Sequence, residues 1–118
     1  MSVINDRLNS LSKSRFRSSF KLNKKMINYV NSKGIDTIKN HAYDFVNTRL
    51  KVLQPNDGKQ TPMRQTHPVF IAQHATACCC RGCIEKWHHI PKDKVLTEKD
   101  IEFLVTLIIE WIKKECNK

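Results

Sequence analysis

The amino-acid sequence predicts an all-α protein. Apolar residues recur at helical spacing in several segments of the 118-residue chain, and no segment alternates apolar and polar residues as a half-buried strand would. Residues that commonly begin or end helices, such as asparagine, threonine, glycine and proline, lie between these segments. We therefore expect one compact domain of four or five helices over residues 23–118. Residues 1–22 are predicted to form a separate basic arm that need not be ordered.

This arm and the residues after it carry most of the charge. Residues 1–35 contain eight basic residues and one acidic residue, a net charge of +7 out of +10 for the chain. Phe16 and Phe20 lie among basic and serine residues, and such a mixture can contact phosphates and stack on bases. The alternative is a solvated arm whose two phenylalanines pack on the domain. The residues predicted to bind nucleic acid or another polyanion are Arg15, Arg17, Lys21, Lys24 and Lys25.

Two helices are predicted after the arm. Asn23 is a suitable N-cap for a short helix over residues 24–33, which Gly34 would end in a left-handed conformation. Asp36 can cap a longer helix that reaches about Leu53. The apolar residues of this longer helix share one face, so they are predicted to belong to the core.

A long loop is predicted over residues 54–68. It contains the turn sequence Pro-Asn-Asp-Gly and two further prolines. Because compact domains rarely need loops of this length, we expect it to fold over a Cys/His-rich functional site. Pro68 suits the first turn of a helix that reaches about residue 77, and another short helix is expected from Ile84 to His89.

The last predicted helix begins at Thr97 and has an acidic first turn. Its apolar residues cover a broad face, because Phe103, Leu107 and Trp111 widen the stripe that Leu104 and its neighbours form. A face of this width predicts either a central helix or an oligomer that forms through this helix.

The segment from His67 to His89 has the clearest chemistry. It contains four of the five cysteines and four of the five histidines of the chain. Thiolate and imidazole groups are typical ligands of Zn²⁺, and the Cys-Arg-Gly-Cys sequence at residues 80–83 can present two thiolates to one ion. The predicted zinc ligands are Cys80, Cys83, His74 and His88, with Cys79 and His67 in reserve.

The sequence alone leaves three functions open for this segment. The first is a metal-binding module. If only three residues bind the ion, a water molecule could take the fourth position, and Glu85 could accept a proton from this water in hydrolysis. The second is a cysteine-dependent enzyme in which Arg81 lowers the pKa of a cysteine and His74 or His88 acts as base. The third is a protein-interaction domain with a structural cysteine core. A continuous helix over residues 80–88 would separate Cys80 from His88 by ~12 Å and prevent them from sharing an ion.

The sequence also bears on location. No run reaches the ~18 apolar residues that a membrane-spanning helix requires, and the N-terminus lacks the basic start and apolar centre of a signal peptide. We expect a cytoplasmic protein that does not bind membranes. Thiols stay reduced in the cytoplasm, so the cysteines favour metal binding or catalysis over disulfides.

Several motifs carry a resemblance to a known family. They are Gly34-Ile-Asp-Thr-Ile, His41-Ala-Tyr-Asp-Phe, the loop from Pro55 to Arg64, the segment from His67 to His74, and Cys79-Cys-Arg-Gly-Cys83. From about Arg15 to Trp111 the chain resembles an uncharacterised family of small bacterial and phage proteins, a domain of unknown function. The resemblance implies no assigned activity. Cys78 departs from the family pattern, in which a threonine is more usual, and it is therefore not among the predicted ligands.

Overall fold

The protein is all-helical in a computed structural model that describes residues 2–64 and 66–118. The all-α prediction is confirmed for these residues, but they form seven helices where four or five were expected. The two additional helices, α1 and α2, lie in the segment that was predicted to be an arm. The helices are α1 (Ser2–Ser12), α2 (Arg15–Ser18), α3 (Lys24–Lys33), α4 (Ile35–Arg49), α5 (Pro68–Ala75), α6 (Arg81–His88) and α7 (Glu98–Cys116).

Helix α1 packs on the rest of the protein. Ile4, Leu8 and Leu11 lie on one face of this helix and are all buried, and α1 contacts α2 and α7. This spacing of four and then three residues is a helical signal that the basic composition of the segment obscured. The N-terminal segment of the described chain is therefore joined to the core by apolar contacts.

Helix α7 is the centre of the fold. Its N-terminus has a reciprocal cap, because the Thr97 hydroxyl accepts from the Asp100 N–H while the Asp100 carboxylate accepts from the Thr97 N–H. This cap was predicted from the sequence. The helix packs on α1, α4 and α5, and eight of its residues are buried. Contacts within the chain thus cover much of its broad apolar face, and an oligomer through this helix stays a prediction.

Helices α3 and α4 follow the predictions closely. The Asn23 side chain accepts a hydrogen bond from the Met26 N–H at 2.9 Å, and α3 spans the predicted residues. Gly34, with a φ of 85°, joins the two helices directly, so α4 begins one residue before the Asp36 cap that we expected. Asp36 lies in the first turn of α4, where a carboxylate is favourable. The helix ends at Arg49, earlier than predicted.

The segment between α5 and α6 brings the cysteines to the edge of the core. Every residue from position 68 to 81 is buried. Ala77 adopts a left-handed conformation with a φ of 57°, which turns the chain between the two helices. None of the seven helices described has the combination of length and apolar character that crossing a membrane requires.

Candidate functional site

Three cysteines lie together where α6 begins. The Sγ atoms of Cys79, Cys80 and Cys83 are all within 4.8 Å of one another. Cys79 and Cys80 are buried, and Cys83 is partly exposed. Zinc–sulfur bonds of about 2.3 Å place sulfurs about 3.8 Å apart around a tetrahedral ion. The three sulfurs are therefore close enough to hold one metal ion with small side-chain movements.

The loop before α5 fixes the backbone that carries these cysteines. The Asp57 carboxylate accepts from the N–H groups of Arg81 and Gly82, at 2.9 and 3.0 Å, and so caps the N-terminus of α6. A Cβ atom at Gly82 would lie 3.2 Å from the Asp57 carboxylate, so a larger residue between the two cysteines would require this carboxylate to shift by a few tenths of an ångström. The Thr61 hydroxyl donates to the Cys79 carbonyl at 2.8 Å. The predicted loop thus folds against the cysteine segment.

Arg17 reaches the cysteines from the N-terminal part of the chain. Its guanidinium donates to the sulfurs of Cys83 and Cys79, at 3.1 and 3.5 Å, and to the His74 carbonyl at 2.7 Å. Only 7% of its surface is exposed. Its position among basic residues predicts a polyanion-binding role for Arg17, whereas the structure places it in the cysteine cluster. Its partners lie 57 to 66 residues away, so no local pattern identifies them.

The hydrogen bonds of the cluster favour one thiolate. The pKa of Cys83 is well below its usual range, chiefly because the thiols of Cys79 and Cys80 donate to its sulfur, and also because Arg17 donates to it. Burial opposes this shift. The pKa of Cys79 is raised, because its hydrogen bonds to Cys80 and Cys83 and its burial all favour the thiol. These opposite directions favour Cys83 as the thiolate of the cluster, beside the Arg17 guanidinium.

Arg81 has a different role from the one that the sequence suggested. Its guanidinium donates to four backbone carbonyls, at 3.2, 3.1, 2.8 and 2.7 Å, and only 1% of its surface is exposed. These carbonyls belong to Leu50, Lys51, Pro91 and Lys94. Arg81 thus joins the end of α4 to the loop before α7. Arg17 is the arginine whose guanidinium hydrogen-bonds the thiolate.

The histidines predicted as ligands make other contacts. His74 Nε2 lies 3.1 Å from the Pro62 carbonyl, and His88 Nε2 lies 2.8 Å from the Thr76 carbonyl. Since a carbonyl accepts, both Nε2 atoms carry the proton and are occupied. Within the described residues neither histidine belongs to the group of three close sulfurs. Helix α6 is continuous up to His88, which keeps this histidine at the far end of the helix from Cys80.

His67, a reserve ligand, is a helix cap. Its Nδ1 accepts from the Val69 N–H at 3.0 Å, so its Nε2 carries a proton and donates to Nδ1 of His41, also at 3.0 Å. The ring packs against Tyr29, Phe45 and other aromatic side chains. Burial and the neighbouring His41 lower the pKa of His67 to about 4. Cys79, the other reserve ligand, does belong to the cluster.

Two further side chains complete this part of the protein. Glu85 is exposed, and its carboxylate accepts from the Lys92 N–H at 3.0 Å, so it stabilises the chain after α6. Cys78 is fully buried and donates to the Thr76 carbonyl at 3.5 Å. Burial raises the pKa of Cys78 to about 12, which favours the thiol. Cys78 therefore behaves as a core residue.

Protonation of buried histidines predicts an acid-sensitive fold. Burial lowers the pKa of His88 from 6.5 to about 4. Below pH 6.5 the unfolded chain binds this proton more readily than the folded chain, so stability falls as the pH decreases from 6.5 to 4. We expect His88 to contribute a loss of about 3 kcal/mol, measured by urea unfolding in the presence of a chelator. The pH dependence should be shallower in His88→Asn; an equally steep dependence would contradict this assignment.

The other four residues of the predicted polyanion surface are exposed. Arg15 lies on α2, Lys21 follows this helix, and Lys24 and Lys25 begin α3. Phe16 lies near them with 52% of its surface exposed. These side chains therefore remain accessible to a partner.

Comparisons with known proteins place the chain in one family. A family model described as a domain of unknown function (DUF4186) matches residues 5–113. The match begins in α1 and ends in α7, so it includes Arg17 and the three clustered cysteines. No solved structure matches the chain.

Proposed function

Since the chain belongs to the DUF4186 family, whose function is unknown, we propose a function from its cysteine cluster: the protein binds a metal ion, zinc, through Cys79, Cys80 and Cys83. The observation that supports this proposal is the position of three sulfurs within 4.8 Å of one another, two of them buried. Reduced thiols at such distances are a suitable ligand set for a thiophilic ion.

The charge balance of the cluster favours a divalent ion. Three thiolates and a divalent ion carry a net charge of −1, which the nearby Arg17 guanidinium offsets. A monovalent ion would leave an extra negative charge in this buried site, and a trivalent ion would leave Arg17 without a charged partner. Uncompensated buried charge is costly. Among divalent ions, zinc combines a preference for thiolates with tetrahedral geometry.

The fourth coordination position is the feature that determines what the site can do. The described residues supply three close ligands, so a tetrahedral ion would take its fourth ligand from solvent or from another molecule. Hydrolysis would also need a group that accepts a proton from bound water. Glu85, the residue suggested for this role, accepts a hydrogen bond from the Lys92 N–H instead. We therefore propose a metal-binding module, in preference to a hydrolase.

Metal analysis of protein purified without an affinity tag tests this proposal. We expect one zinc ion per chain by native mass spectrometry and elemental analysis. Single serine substitutions at Cys79, Cys80 and Cys83 should each lower the metal content, because each removes a thiolate. Cys116→Ser is the matched control, since this cysteine lies on α7 outside the cluster and should leave the metal content unchanged.

A metal-free outcome would point to the second function. A stably folded, metal-free protein whose three clustered thiols react readily with alkylating reagents would contradict the metal proposal. It would favour a cysteine-dependent activity in which Cys83 is the nucleophile, because Arg17 stabilises its thiolate. The third possibility, a structural cysteine core, would give metal-free protein with unreactive thiols.

A second proposed function is the binding of nucleic acid or another polyanion by the exposed basic residues. Arg15, Lys21, Lys24 and Lys25 are exposed and lie within nine residues of Phe16, which is itself exposed and available for stacking. Cations on such a surface release counterions when they contact phosphates. Because α1 and Arg17 belong to the packed domain, charge substitutions are a cleaner test than deletion of the N-terminus.

The salt dependence of binding tests this surface. Replacing the four exposed cations with serine should weaken binding to a single-stranded oligonucleotide. It should also reduce the slope of log K against log salt by about 3, since each phosphate contact contributes about 0.7 for single strands. Lys99→Ser is the control, because Lys99 is exposed and lies at the opposite end of α7 from Glu115, whose carboxylate contacts Leu22. An unchanged affinity for the oligonucleotide after the four substitutions would show that these residues do not bind nucleic acid.

A further inference from the structure

A second site lies between the N-terminal helices and the end of α7. A cavity of about 290 Å³ opens there, close to the size at which small-molecule pockets begin, about 300 Å³. It is separate from the three sulfurs, which do not line it. The residues that line the cavity include Asn5, Phe20, Lys21, Trp111, Lys114 and Glu115.

The charges in this cavity favour an anion. Lys21, Lys114 and Lys118 line it, and Glu115 is the carboxylate among its lining residues. Glu115 is 5% exposed and already satisfied, because one oxygen accepts from the Leu22 N–H at 3.0 Å and the other is paired with Lys118. In the described part of the chain, no carboxylate lies within ion-pair distance of Lys21 or Lys114. Two ammonium groups are thus left to attract a negatively charged ligand.

Aromatic side chains form another part of the cavity wall. Phe20 and Trp111 both line it and are both partly exposed. Phe20 is held in place, because one neighbour, His74, stacks on its ring at a centroid distance of 5.4 Å, and Phe16 meets it edge-on at 5.2 Å. Fixed aromatic rings favour a planar apolar group. Asn5, on α1, adds an amide that can donate or accept.

We propose that this cavity binds a small aromatic anion: a planar ring that contacts Phe20 and Trp111, with one phosphate or carboxylate group held by Lys21 and Lys114. This site goes beyond the metal-binding function and does not depend on it. Arg17 also lines the cavity, but its guanidinium donates to the cysteine sulfurs and the His74 carbonyl. The lysines therefore supply the selectivity for an anion.

Tryptophan fluorescence can report on the site directly. The chain has two tryptophans, so the Trp87→Phe variant leaves Trp111 as the only one. We expect a saturable change in its emission with phenyl phosphate or with benzoate, and the two titrations distinguish a phosphate ligand from a carboxylate ligand. Benzyl alcohol and inorganic phosphate should each bind at least tenfold more weakly, because each lacks one of the two recognised groups. Calorimetric titration of the unmodified protein provides a second measurement.

A pair of adjacent lysines gives the matched control. Lys114→Gln should weaken binding at least fivefold, whereas Lys113→Gln should leave it unchanged, because Lys113 pairs with Glu110 and does not line the cavity. Both lysines lie in the last turn of α7, so both interact with the carbonyl end of the helix. Equal losses in the two variants would overturn the proposal. So would the absence of saturable binding of both aryl anions at millimolar concentrations, or binding of inorganic phosphate as tight as that of phenyl phosphate.

Discussion

Replacing Arg81 with methionine lowers the free energy of unfolding by about 3 to 5 kcal/mol, the largest single-residue effect that we expect on stability. The substitution keeps much of the side-chain volume but removes the guanidinium from four carbonyls, and among the described residues the Lys51 carbonyl alone keeps a second donor, the Leu96 N–H at 3.0 Å. A buried carbonyl that loses its partner costs about 1 to 3 kcal/mol. The expected loss is smaller than the summed cost of four such carbonyls, because the methionine variant no longer buries a positive charge.

Urea unfolding measures this effect, with Arg64→Met as the control because Arg64 is exposed in the loop. Arg81→Lys should also be strongly destabilised, since one ammonium group cannot replace a planar group whose two terminal nitrogens each serve two carbonyls. A loss of less than about 1 kcal/mol for Arg81→Met would show that water satisfies these carbonyls.

Arg81 illustrates what the sequence could and could not predict. Local signals predict the caps at Asn23 and Thr97, which are present, and the helical periods predict the all-α class. These features depend on residues a few positions apart. The two buried arginines, Arg17 and Arg81, have partners at separations of up to 66 residues, so charge composition alone suggested exposed or catalytic roles for them.

The cysteine cluster shows the same division. The Cys-x-x-Cys spacing identified Cys80 and Cys83 correctly as neighbours, because both lie within one turn at the start of α6. Which further residue joins these two cysteines depends on the backbone before α6. The left-handed turn at Ala77 places the Cys79 sulfur beside those of Cys80 and Cys83. His74 and His88 have the right side-chain chemistry, but carbonyl groups of Pro62 and Thr76 take up their Nε2 atoms. Spacing along the chain does not reveal such contacts.

Replacing Arg17 with glutamine should weaken zinc binding by about 10- to 100-fold, the range typical of residues that hydrogen-bond metal ligands. The guanidinium donates to the sulfurs of Cys79 and Cys83, and its charge offsets the negative charge of the thiolate site. Without it, the pKa of Cys83 should rise, so more free energy would be needed to deprotonate the ligands when the metal binds. Competition with a coloured chelator measures the affinity, and its pH dependence should be steeper in the variant.

Arg15→Gln is the matched control for this experiment, because Arg15 lies on the same short helix, has the same charge and is exposed. The two substitutions lower the net charge equally, so a general electrostatic effect would change both affinities alike. A specific loss in Arg17→Gln, with the fold intact by circular dichroism, would assign the effect to the hydrogen bonds with the sulfurs. Equal zinc affinity in the two variants would contradict the role of Arg17, and it would also remove the charge balance from the argument for a divalent ion.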